Sequence, residues 1–271
     1  MRLLFLGDVM GRTGRDAIGE RLPGLIDDLS LDFVVINGEN ASHGRGLTEK
    51  HYEELREAGA DVVTLGDHAF DQRDALTYIM RETALVRPIN LQPGAPGRGA
   101  TLVEGRNGHR VLVVSALGRV FMPPMDDPFR AVEAAVADCP LGEQADAVVV
   151  DFHAEATSEM GGMAFHMDGR VSLVVGTHTH IPTSDHRILR GGTGFMTDAG
   201  MCGDYESIIG VEADEPLNRF LTGIASGRFT PAEGEATLSG VVIETDPGTG
   251  LCRRIAPLRV GGALEQILPS F

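Results

Sequence analysis

The sequence predicts an α/β fold, and two observations carry the prediction. Short apolar runs of strand length recur at Leu3 to Leu6, Phe33 to Ile36 and Val62 to Leu65, each followed by a polar, glycine-bearing turn and then a segment with helical apolar spacing. Each of these runs also places an ionisable residue within about two residues of its end. In layered α/β sheets, function gathers beyond the carboxyl ends of the strands.

The first run ends at Gly7-Asp8, and the loop Val9 to Gly14 leads to a helix from about Arg15 to Leu29, with the stripe Ile18, Leu22, Leu25, Ile26 and Leu29. Pro23-Gly24 is expected to interrupt that helix. The second run ends in Asn37-Gly38-Glu39-Asn40; after the glycine-rich loop Ser42 to Gly46, Thr48 is an N-cap for a helix to about Ala58. The third run ends in Gly66-Asp67-His68 and is followed by a helix over about Gln72 to Met80. Ala100 to Glu104 and Arg110 to Ala116, around Gly105 to Gly108, read as a β-hairpin, and Phe129 to Ala137 as a helix. Ala147 to Val150 is a very apolar strand, followed at once by Asp151-Phe152-His153. Thr157 to Met167 reads as a helix weakened by Gly161-Gly162. The strand Val171 to Val175 ends at Gly176 and leads into Thr177-His178-Thr179-His180. In extended backbone residues i and i+2 point the same way, so His178 and His180 are expected to share one cavity. Strand character resumes at His186 to Leu189, Gly194 to Thr197, Leu238 to Thr245 and Cys252 to Val260. Between them Gly203 to Glu235 reads as an extended loop or a cover over the site. No linker divides the chain, so one domain over 1–271 is expected.

Composition narrows the function. The 271 residues are 42% hydrophobic and carry a formal net charge of −16. That charge argues against extended nucleic-acid or anionic-membrane surfaces, which need clustered Lys and Arg. It leaves room for a small phosphate substrate, because bound cations reverse the local sign. Three scattered cysteines give neither a disulfide framework nor a zinc knuckle, and a reducing cytoplasm fits. The N-terminal apolar run is too short for a signal peptide, and no segment approaches the roughly 20 apolar residues of a membrane span.

The strand ends together carry Asp8, Glu39, Asn40, Asp67, His68, His153, His178 and His180. Taken singly these have plainer roles: Asp8 and Asp67 as caps or turn residues, Glu39 and Asn40 as loop solvation, His153 as a satisfied imidazole. Taken together, three carboxylates, three imidazoles and an amide oxygen make a mixed N/O ligand set without thiolate, suited to Mn, Fe, Zn or Co. Seven ligands exceed one ion, whereas two ions about 3.5–4 Å apart sharing one carboxylate use them all. Such a pair holds a hydroxide at neutral pH and neutralises phosphoryl oxygens during in-line attack. His68, next to Asp67, is the candidate general acid or phosphate stabiliser.

These residues resemble the calcineurin-like metallophosphoesterases, and most closely the YmdB-like branch. The resemblance rests on Gly7-Asp8-Val9-Met10-Gly11, Asn37-Gly38-Glu39-Asn40-Ala41-Ser42, Asp151 to Glu159, Val175 to His180, Thr197 to Gly203 and Asp168-Gly169-Arg170. It implies a four-layer α+β form of the fold, a central β-sandwich flanked by helices with a dinuclear site at its edge. It further implies that Asp8, Glu39, Asn40 and His180 hold one ion, that Glu39, Asp67, His153 and His178 hold the second with Glu39 bridging, and that His68 is catalytic. The implied activity is phosphodiester hydrolysis, cyclic nucleotides included, with iron or manganese. Two positions depart from the superfamily pattern: Met10 stands where a histidine is usual, and Asp67 where asparagine is usual. The carboxylate of Asp67 is expected to favour a more highly charged ion such as Fe(III).

A phosphomonoesterase or nucleotidase on the same core is the alternative; Arg12, Arg15, Arg45 and His43 lie in loops able to bind its extra charge. A regulatory protein that binds a nucleotide without turnover is the third reading. The expected partner is a small phosphodiester or nucleotide, with homo-oligomerisation left open.

Overall fold

Two β-sheets stack face to face with helices on both outer sides. The computed structural model describes residues 1–271. In chain order the elements are β1 (Arg2–Leu6), β2 (Asp8–Val9), α1 (Gly11–Asp28), β3 (Phe33–Asn37), α2 (Glu49–Glu57), β4 (Val62–Thr64), α3 (Ala75–Tyr78), β5 (Leu85–Val86), β6 (Ala100–Glu104) and β7 (Arg110–Leu117). They continue with α4 (Pro128–Asp138), β8 (Ala147–His153), α5 (Thr157–His166), β9 (Leu173–Thr177), β10 (Arg187–Ile188), β11 (Gly194–Met196), β12 (Met201–Asp204), α6 (Asp214–Thr222), β13 (Ala236–Thr245) and β14 (Cys252–Val260).

The first sheet runs β2-β12-β13-β1-β3-β4-β5, with β14 also paired to β13; the second runs β10-β11-β9-β8-β7-β6. Strands β1, β3, β4 and β5 are mutually parallel, as are β7, β8 and β9. The strands read as nearly unbroken apolar runs because both of their faces are covered. Leu3, Phe5, Phe33 and Val35 meet Val113 and Val149 of the other sheet. The intervening Leu4, Leu6, Val34 and Ile36 pack outward on Ile18 and Leu22 of α1 and Leu55 of α2. On the far side Val114, Val148 and Val150 pack on Val132 of α4 and on Met160 and Met163 of α5. Four layers result: helices, sheet, sheet, helices.

The hairpin of β6 and β7 and the Thr48 cap, whose side chain accepts from the His51 amide, follow the sequence expectation. Other boundaries are corrected. Helix α1 starts at Gly11 and continues through Pro23, because Pro23 and Gly19, whose carbonyl it leaves without its helical partner, both lie on the exposed face. The helix expected over Gln72 to Met80 shrinks to α3. Gln72 instead donates to the Arg45 carbonyl at 2.6 Å, and Asp74 accepts from the Glu49 amide at 3.0 Å, so both residues serve neighbouring loops. Strand β9 runs through Gly176 to Thr177, and β8 includes His153. The segment 203–235 holds the end of β12 and all of α6.

Candidate metal centre

The carboxyl ends of β1, β3, β4, β8 and β9 converge on one edge of the sandwich. Asp151 of β8 ties the two sheets together there: its carboxylate accepts from Asn37 at 3.0 Å and Thr64 at 2.5 Å, both of the first sheet, and from Thr177 at 2.7 Å. Beyond this clamp the expected residues come together in two groups. Ligand atoms of Glu39, Asp67, His153 and His178 lie within 4.8 Å of one another, and so do those of Asp8, Glu39 and His180. Glu39 belongs to both. The first group is dense: His153 Nε2 stands 3.2 Å from Glu39 Oε1 and 3.1 Å from Asp67 Oδ1, and His178 Nδ1 is 3.0 Å from His153 Nε2. Asn40 joins the second group, its Nδ2 lying 3.0 Å from His180 Nε2.

Each imidazole is oriented from behind. His153 Nδ1 meets the Thr177 hydroxyl at 2.8 Å, and that hydroxyl donates onward to Asp151. His180 Nδ1 donates to the Ile209 carbonyl at 2.7 Å, which leaves Nε2 to offer its lone pair inward. His178 Nε2 faces Glu155 at 3.4 Å. The loop bearing the last two histidines is not extended, contrary to the sequence expectation. His178 has φ +101° and His180 φ +67°, conformations that cost non-glycine residues about 1–3 kcal/mol each. The structure over-determines them: Asp198 accepts from the Thr179 amide and hydroxyl at 3.1 and 2.8 Å, and the His178 amide donates to Asp8 at 3.1 Å.

The electrostatics are those of an acid-rich buried pocket in need of positive charge. Burial pushes the Asp8 carboxyl up to about 7, against the charge of His153 and with that of Glu39. Burial, reinforced by Asp8, pushes Asp198 up to about 7 as well. Burial disfavours charge on His153, yet Glu39 and Asp67 hold it protonated well above the usual imidazole range. Burial keeps His180 below that range, hence neutral and ready to ligate. Asp8 Oδ1 and Asn40 Oδ1 are buried with no hydrogen-bond partner, a costly state that a cation would relieve. The two ends of the Asn40 amide are nearly isosteric, so a half-turn brings its oxygen to the cluster. The donor set therefore fits metal ions.

His68 lines the cavity over this cluster, about 400 Å³ in volume, together with Glu39, Asn40, His178 and His180. Its Nδ1 lies 3.1 Å from Asp71, and its amide donates to Glu39 at 3.4 Å. Of the four basic residues expected near the site, Arg45 and His43 line the cavity. Arg12 and Arg15 do not: they pair with Glu233 at 3.3 Å and Glu54 at 3.1 Å. Met10 packs on Met201 and Val211 and brings no donor nitrogen. Sequence reasoning assigned no role to Asp151, Thr177, Asp198 or the Ile209 carbonyl. Asp151 had a signal, being a lone acid within an apolar strand and two residues from His153, on the same face. The Ile209 carbonyl had none.

A four-layer sandwich with an acid–imidazole cluster at its carboxyl edge defines a metallophosphoesterase-like protein. More particularly, the chain belongs to the YmdB-like protein family, whose model matches residues 4–258. It is 46% identical to the 2′,3′-cyclic-nucleotide 2′-phosphodiesterase of Bacillus subtilis over 92% of this chain and 93% of that one. Among solved structures it is similar to a hypothetical protein from Thermus thermophilus (TM-score 0.89, 43% identity, 97% of this chain and 100% of that one). It is also similar to a novel phosphatase from Mycoplasma pneumoniae (TM-score 0.88, 33% identity, 96% and 93%).

Proposed function

We propose that this protein is a metal-dependent phosphodiesterase acting on small nucleotide diesters, 2′,3′-cyclic nucleotides among them. The observation that carries the reading is two ligand groups sharing Glu39, with His68 on the wall of the same cavity. Asp8, Glu39, Asn40 and His180 would hold one ion, and Glu39, Asp67, His153 and His178 the other, iron or manganese before zinc or cobalt. When bound, the pair lowers the pKa of water and neutralises phosphoryl oxygens. The chain does the rest. Arg45 and His43 face the cavity and orient the phosphate. His68, steadied by Asp71, gives a proton to the leaving oxygen. The similarity to a cyclic-nucleotide phosphodiesterase supports the substrate class. The net charge of −16 favours small substrates over long strands. No helix is long and apolar enough to cross a membrane. Three unpaired cysteines support a cytoplasmic location.

The test is hydrolysis of 2′,3′-cyclic AMP by protein loaded with manganese or iron. His68→Ala should lower kcat by about 10²–10⁴-fold with metal content intact, and Glu39→Ala should lose both metal and activity. Wild-type rates in both variants would remove the proposal. Arg45 and His43 also suit a monoester, and one solved relative is described as a phosphatase. Rates on 3′-AMP measured beside the cyclic diester separate the two.

A further inference from the structure

We infer that the segment Val211 to Pro231 is the specificity wall of the site, and that Phe229, with Phe220 lining the same cavity, is a platform on which the base of the nucleotide substrate stacks. The inference rests on the nucleotide-diesterase reading above and adds the part of the substrate that the metal cluster does not touch. The cavity that contains Glu39, Asn40, His68, His178 and His180 is also lined by Ile209, Val211, Pro216, Phe220, Phe229 and Pro231. It is thus polar where a phosphate would sit and apolar elsewhere, and its volume of about 400 Å³ suits a mononucleotide.

The wall is anchored at both ends. The Ile208 amide donates to Val211 at 3.0 Å, the Glu212 amide to Thr230 at 2.8 Å and the Ala232 amide to Gly210 at 2.9 Å. The Ile209 carbonyl holds His180 directly, so the wall is in register with the cluster. Between these anchors, α6 has one buried residue, Pro216. Phe220 is 78% exposed and Phe229 50% exposed, so these rings enter no core. Phe229 nonetheless has a well-placed partner. The Arg219 guanidinium lies 4.2 Å over its ring, and Arg219 is fixed by Glu215 at 2.7 Å and the Gly227 carbonyl at 2.8 Å. One face of the ring is thereby covered and its orientation set, and the free face takes a flat π-system. An apolar wall reads the face of a base rather than its edge, so the site prefers nucleotides over base-free diesters and discriminates weakly among bases.

The test uses full-length, metal-loaded protein carrying Phe229→Ala, Phe229→Leu or Phe229→Trp. The first readout is kcat/KM for 2′,3′-cyclic AMP divided by that for ethylene phosphate, a cyclic diester without a base. The second is the Kd for 3′-AMP divided by that for inorganic phosphate, measured by calorimetry. In the Ala and Leu variants the kinetic preference should fall about tenfold or more and the nucleotide Kd should rise likewise relative to phosphate. The Trp variant should restore both. Unchanged ratios, or equal losses for nucleotide and base-free ligand, would overturn the inference. So would a change of oligomeric state in sedimentation at unchanged nucleotide affinity, which would assign this face to a second copy of the chain. If the wild-type protein hydrolysed neither diester, the diesterase reading would fail by itself, and the binding ratio would still decide the platform.

Discussion

Asp67 sets a full negative charge among the imidazoles of one ligand group, 3.1 Å from His153 Nε2 and 3.5 Å from His178 Nδ1. Partial burial opposes its ionisation, but hydrogen bonds from these two histidines outweigh that and hold the carboxyl well below its usual range. Replacing it by asparagine removes one unit of charge at nearly constant shape. Asp67→Asn should lower the ratio of iron to manganese bound from a mixed supply and move the acidic limb of the pH–rate profile down by on the order of one unit. Identical metal content and profile would remove the role of that charge. Asp8 and Asp198 behave oppositely. Their folded carboxyls titrate near 7 rather than 3.8, so between those values the folded chain binds more protons than the unfolded one. Stability contributed below pH 4 is therefore lost as pH rises toward 7, and His153 adds a loss of the same sign above 6.5, while His180, held below the usual imidazole range by burial, offsets part of the loss up to 6.5. Chelator-treated protein should lose a few kcal/mol of unfolding free energy between about pH 5 and 7 in urea titrations, and Asp8→Asn should flatten the slope. A metal-free stability that rises over that window would contradict the raised carboxyls of Asp8 and Asp198.

At the scale of elements, the strand-end turns matter more than the strands. The turn after β4 passes so close to the cluster that a Cβ on Gly66 would overlap Glu39 Oε2 and His153 Nε2. Gly66→Ala is expected to cost about 1–3 kcal/mol and to displace ligand atoms, seen as a lower melting temperature and reduced metal content. Gly19, in the middle of α1, has open space around its Cα, and Gly19→Ala should instead stabilise by about 0.4–1 kcal/mol. If both changes had the same sign, the crowding at Gly66 would not be the cause. Helix α6 is the inverse case, an element with little core of its own that is held by its anchors and by Glu215 and Arg219.

For the whole molecule, the cluster exists only where two sheets meet. Asp8, Glu39, Asn40 and Asp67 come from the first sheet's strand ends, and His153, His178 and His180 from the second's. Asp151 joins the sheets just beneath. Because the two sheets also share an apolar interior, we propose that residues 1–271 fold as one domain and one cooperative unit. Urea unfolding followed by circular dichroism and by tyrosine fluorescence should give coincident single transitions. Asp151→Ala, which strands three buried donors, should lower the midpoint by an amount equivalent to about 3 kcal/mol. Two resolved transitions in the wild-type protein would divide the chain after all.

Much of this was written in local sequence. Apolar runs of strand length, the Thr48 cap, the β6–β7 hairpin and the ionisable residue at each strand end depend on neighbours a few positions away, and so are legible one segment at a time. The pairing of His178 with Asp67 and His153, and of His180 with Asp8, came from family resemblance, and the distances group the side chains in the same way. Three-dimensional packing alone decided the rest. The loop of positive φ that carries both histidines is held by Asp198, Asp8 and the Ile209 carbonyl, and α3 is cut short because Gln72 and Asp74 bond to other loops. Arg15 is drawn from the site to Glu54, and apolar residues of the 209–231 segment are brought to line the cavity. Each of these is set by contacts between residues distant in the chain, whose energies do not register in any local window.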